Sequence, residues 1–206
     1  MRVFKACLCL AASVLVLVPT SAMARQLAVT KVSPVGVACI FSPRCAVTPT
    51  DSVSYFDLFG NGGHSKLLVR SYPGLAGTRA AGMTGYSFFI DMSGATSLGM
   101  PNCVQKLMLD TGGVESINYT GGGEADIFVV DGNAGAGLSS VTQTGSKLTF
   151  TFAKPICPGR QGITESLYFG FAAKNGPVPG RGQVTGSLQG TTEIEVRVPR
   201  HTGPSS

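Results

Sequence analysis

The chain has 206 residues, of which only 13% are charged, and a formal net charge of +5. That charged share is about half the usual one, and basic residues such as Lys31, Arg44, Lys66, Arg70 and Arg79 are scattered without a run, which argues against nucleic-acid binding. Glycine and proline, 28 and 12 residues, make about a fifth of the chain, less than the ~25–30% of disordered low-complexity sequence.

At the N-terminus, Arg2 and Lys5 precede an uncharged apolar run over residues 6–18. Pro19 breaks it, and Ala22-Met23-Ala24 supplies a small-x-small cleavage site. This pattern predicts a cleavable secretory signal over residues 1–24, with Arg25 as the new terminus. The apolar run of 13 residues is short of the ~20 needed to span a bilayer. Cys7 and Cys9 sit inside the run rather than just after it, which does not suit lipidation. No later run is long enough to span, so no transmembrane segment is expected after cleavage, and the protein is expected to be secreted or periplasmic. A single domain is expected over residues 25–199, with 200–206 a disordered tail.

Glycine and proline then punctuate the chain too often for long helices. The segments between them alternate as strands do. In chain order they are 27–32, 37–41, 53–58, 66–72, 86–91, 104–109, 115–119, 126–130, 147–152, 167–171, 183–188 and 193–198. In 147–152, Leu148, Phe150 and Phe152 share one face while Lys147, Thr149 and Thr151 take the other. Ile127-Phe128-Val129-Val130 is apolar on both faces, which suits a strand covered on each side. About ten to twelve short strands with turn-rich loops predict an all-β fold, an antiparallel β-sandwich of Ig-like or jelly-roll-like type.

Of the six cysteines, Cys39, Cys45, Cys103 and Cys157 follow the leader. An even number in an exported chain predicts two disulfides. The favoured pairs are Cys39–Cys45, closing a small loop, and Cys103–Cys157, joining distant segments. Their spacing does not match paired zinc knuckles.

The chemistry-bearing motifs are few. There is no G-x-S-x-G elbow. His64, after Gly62-Gly63, is the one histidine outside the tail and the natural choice if the protein is a hydrolase, but no motif selects partners for it. The acidic residues Asp110, Glu115, Glu124, Asp126 and Asp131 concentrate in one stretch. Asp126, Asp131 and Asn133 bracket a strand and offer hard oxygen ligands of the kind calcium takes. The match to an EF-hand fails, since the position for its final Glu is Thr142, and Asp131-Gly132-Asn133 is also good turn sequence. Gly121-Gly122-Gly123 lacks the Lys-Ser/Thr of a phosphate loop.

The leading expectation is therefore an exported, non-catalytic binding or coating module. It presents loops on a rigid sandwich to an extracellular or envelope ligand. A structural envelope protein that adds its C-terminal strand to a neighbour's edge is the alternative, followed by a secreted hydrolase with a site near His64.

Overall fold

A computed structural model describes residues 23–132, 134–159, 162–188 and 190–201. Residues 1–22 of the expected leader, Asn133, and residues 202–206 of the expected tail lie outside the described residues.

The chain forms an all-β sandwich. The first sheet has the order β1 (Arg25–Gln26), β10 (Leu138–Thr144), β11 (Lys147–Ile156), β8 (Val104–Asp110), β13 (Pro177–Gly186), β14 (Thr191–Pro199). The second has the order β2 (Val29–Val32), β9 (Ile127–Val130), β12 (Phe169–Ala173), β6 (Thr84–Asp91), β5 (Ser65–Pro73), β3 (Thr50–Phe56). All neighbours are antiparallel except β2 and β9. A small ladder, β4 (Asn61–Gly63) with β7 (Ala95–Ser97), caps one end.

The main core lies between the sheets, where alternation sends Phe150 and Phe152 of β11 against Phe88, Phe169 and Phe171. Tyr86, Phe88 and Phe171 stack with centroids 5.6 to 5.7 Å apart. A second apolar cluster covers the outer face of the second sheet. It explains the run 127–130: Ile127 and Val129 pack inward, Phe128 and Val130 outward, and all four are buried.

That outer layer overturns one expectation. Residues 37–41 are not a strand but part of helix α1, Pro34–Phe41. Ser33 caps it, its Oγ accepting the Gly36 N–H at 3.0 Å, and Pro34 stands in the first turn, where a missing N–H costs nothing. Val37, Ile40 and Phe41 fall at helical spacing and are buried on the sheet. Gly85 makes the close approach possible: a Cβ there would lie 2.7 Å from the Phe41 ring and closer still to Tyr72.

Residues 115–119 form only isolated bridges, Glu115 with Ala172 and Ile117 with Ala125, rather than a strand. β10 and the first half of β13 were not foreseen. β10 is Ser/Thr-rich, and only Val141 in it is fully buried. β13 starts with Pro177 and Pro179, which pair with β14 alone; β8 joins only from Gly182 onward. Proline is tolerated where one neighbour is missing.

Both expected disulfides are present, Cys39–Cys45 and Cys103–Cys157. The second joins the start of β8 to the end of β11. No helix among the described residues is long and apolar enough to cross a membrane.

The open sides of the sandwich are both stitched. On one, the segment holding β1 and β2 crosses from the first sheet to the second. On the other, the Ser54 hydroxyl of β3 donates to the Glu195 carbonyl of β14, and the Thr192 hydroxyl donates to the Asp57 carbonyl at 2.9 Å.

Candidate functional site

One end of the sandwich gathers three loops on a single buried side chain. Asn102, fully buried, donates from Nδ2 to the Phe59 carbonyl at 3.0 Å and accepts the Leu188 N–H at 3.1 Å. Its backbone is bracketed by Asn61, whose Oδ1 accepts the Asn102 N–H and whose Nδ2 donates to the Asn102 carbonyl. Next to it, the Cys103 N–H donates to Ser187 Oγ at 3.0 Å, and the disulfide ties Cys103 to Cys157. Gly186 approaches so closely that any Cβ would overlap the Asn102 amide.

These loops are therefore fixed, yet they hold large apolar side chains out in water. Phe59 is 83% exposed, Leu98 75% and Met100 72%. Leu98 is seated by its N–H on the Gly60 carbonyl at 3.1 Å, and Leu188 borders the group at 39% exposure. Scattered exposed apolar residues mean little, but several on one rigid loop cluster mark an interaction surface. None of these positions was singled out in the sequence; Phe59 and Met100, each beside glycine or proline, were the available signal.

A second feature lies on the outer face of the second sheet. Beyond α1 the chain runs through residues 42–49 as a strap with no ladder partner, its start held to α1 by Cys39–Cys45. Under it, α1, the strap and the sheet border a solvent-open slot of ≈ 240 Å³, with walls including Val37, Val47, Pro49 and Val130. Arg70 and Tyr72 of β5, Ser87 of β6 and Tyr168 also line it. The register sets Arg70 opposite Ser87. Arg70 lies over the Tyr168 ring at 5.3 Å, and Tyr168 stacks on Phe89 at 4.6 Å. Burial pushes the Tyr72 phenol well above its ordinary value, with Ser87 and Arg70 offsetting this in part.

The sequence-selected residues fall elsewhere. Asp126 is buried and fully engaged: Arg25 and the Ser116 hydroxyl donate to Oδ1, and the Ala28 N–H donates to Oδ2 at 2.8 Å. Asp131 is exposed at the other end of β9, about 16 Å along an extended chain. The structure does not bring these two together, and Asn133 lies outside the described residues. Among the described residues, no three His, Cys, Asp or Glu side chains group as metal ligands.

His64 is exposed between β4 and β5, its Nδ1 3.5 Å from Asp57 Oδ1 and its ring edge-on to Tyr55. A cavity of ≈ 330 Å³ beside it is also lined by Lys66, Asp91 and Ser93. There Asp91 is committed to Lys66 at 2.9 Å and to the Ser93 N–H. Among the described residues, no Ser, Thr or Cys side chain hydrogen-bonds to His64, so the geometry offers an imidazole beside a carboxylate without a nucleophile. No protein-family model, curated protein or solved structure matches the chain.

Proposed function

We propose that this is an exported, non-catalytic binding module that docks on an extracellular or envelope ligand through its loop end. The observation that carries this reading is the Phe59–Leu98–Met100 group, held out in water by loops that Asn102 and a disulfide fix. Rigid apolar anchors bind well because little conformational entropy is lost on docking. The leader-like N-terminus and the two disulfides support an oxidising compartment.

Strand addition by β14 is the weaker reading, because that strand is already tied to β3 and the residue after it, through Ser54 to the Glu195 carbonyl and Thr192 to the Asp57 carbonyl. A hydrolase at His64 is weaker again, because no Ser, Thr or Cys side chain among the described residues hydrogen-bonds to its imidazole.

The test compares the purified oxidised protein with a Phe59→Ser, Leu98→Ser, Met100→Ser triple variant. Binding is measured against immobilised surface polysaccharides, isolated envelope proteins and lipid vesicles. Binding that falls at least about tenfold in the variant is expected, since each anchor removed is worth over ~1 kcal/mol at a binding surface. Equal binding by both proteins, or none by either at millimolar concentration, would overturn the reading.

A further inference from the structure

We propose that the slot beneath the strap is a binding site for a small carboxylic acid with a compact apolar body. The inference is independent of what the loop end binds. It starts from two buried donors without a well-aligned hydrogen bond. Tyr72 Oη and Arg70 Nε are both buried without one, although the neighbouring Ser87 hydroxyl interacts with the phenol enough to offset part of its shift. Arg70 Nε has Asp51 Oδ1 3.3 Å away as an ion-pair partner, but not in hydrogen-bonding alignment.

The two residues stand two apart on β5, so both project from the same face of the sheet, and both line the slot. Ser87, opposite Arg70 on β6, adds a second hydroxyl, and so a third donor, to the same wall. No acidic side chain lines the slot among the described residues. Three donor-capable residues on the wall of one largely apolar slot define a place for an acceptor. A carboxylate fits best, because its two oxygens reach two donors at once and charge-assisted hydrogen bonds are the strong ones. Because burial raises the Tyr72 phenol's pKa, Tyr72 remains a protonated donor at neutral pH.

The rest of the slot sets the body of the ligand. Val37, Val47, Pro49 and Val130 give it aliphatic walls, and the Tyr168 ring gives it an aromatic one. A volume of ≈ 240 Å³ holds about eight water-sized groups at ~30 Å³ each. That is the size of an arylacetic or short branched-chain acid.

The test is an NMR titration of the oxidised protein with phenylacetate, with isovalerate as a second acid and phenylacetamide as the neutral isostere. Saturable shifts at residues 34–38, 47–49, 70–72 and 87 are expected with an acid. Binding at least about tenfold weaker is expected for the amide, and for the acid with Tyr72→Phe, the fold-change of losing a hydrogen bond to a charged group. Tyr72→Phe keeps the ring that packs edge-on to Phe41 at 4.8 Å, and a melt verifies its fold; Ser87→Ala is the second variant and is also expected to weaken the acid. No saturable shift with either acid overturns the proposal. So does amide binding equal to that of the acid, or undiminished acid binding in both folded variants.

Discussion

Arg25 places its guanidinium 2.8 Å from Asp126 Oδ1, across 101 residues of sequence. The aspartate side chain is 9% exposed and the arginine 57%, so the two partners differ in what their loss costs. Asp126→Ala removes an acceptor for Arg25, the Ala28 N–H and the Ser116 hydroxyl together. It is expected to cost about 2–3 kcal/mol, as for a buried hydrogen-bonded charge. Arg25→Ala, at the exposed end, is expected to cost about 1 kcal/mol or less. Urea denaturation of both variants measures the difference.

Tyr72→Phe is expected to act in the opposite direction. The phenol is buried without a well-aligned hydrogen bond, and such a group costs ~1–3 kcal/mol. Removing it should raise the melting midpoint by roughly 2–4 °C per kcal/mol recovered. A variant that is more stable and yet binds phenylacetate less tightly would separate a ligand-facing hydroxyl from a structural one.

Gly85→Ala is expected to destabilise by about 1–3 kcal/mol, the range of core overpacking. The added methyl meets the rings of Phe41 and Tyr72, so α1 must lift from the sheet. Hydrogen exchange should show faster exchange in α1 than in β11.

The disulfides are expected to separate in the same way. Cys103–Cys157 closes a 54-residue separation, worth about 4 kcal/mol in the chain-entropy model, and Cys39–Cys45 closes 6, worth about 2. Replacing the first pair by alanine should lower global stability more. Replacing the second should loosen the strap, read out as faster exchange over residues 42–49.

How much of this the sequence disclosed depends on the range of the contacts. β11 and β14 were legible because alternation is local: Phe150 and Val196 declare their faces within a few residues. The two-sided burial of Ile127–Val130 was legible for the same reason. α1 was not, because Val37-Ala38-Cys39-Ile40-Phe41 is a short apolar run that strand and helix share, although Ser33-Pro34 was a start signal. The disulfide pairs were reachable from spacing and compartment. Asp126 was read as a free carboxylate because its partner Arg25 is far away in sequence. The slot was hidden for a related reason: Arg70 and Ser87 meet only through the register of β5 with β6. The alternation of Lys66, Leu68, Arg70 and Tyr72 on one face was the trace it left.

Acid should weaken the fold through Asp91. Burial pushes its carboxyl up, but the Ser93 hydrogen bonds and Lys66 prevail and hold it below its ordinary 3.8. A depressed carboxyl contributes stability above its unfolded pKa and loses it as pH falls through the folded value. Asp91→Asn is therefore expected to cost about 1 kcal/mol at neutral pH, as for a half-exposed pair, and progressively less below about pH 3.8. Urea curves of both proteins at neutral pH and at the acid end of this window give the comparison. Lys66, whose ammonium the same carboxylate holds above its ordinary 10.5, stays charged throughout this window, so the pair is lost with the Asp91 charge at the acid end and with the Lys66 charge only in strong alkali.

The segment that crosses between the sheets also sets an order of events. β1 pairs with β10, and β2 with β9, so the first residues of the domain find no ladder partner until most of the chain is present. Long-range pairings of this kind close late. The N-terminal segment is therefore among the last parts to be seated, when Arg25 meets Asp126.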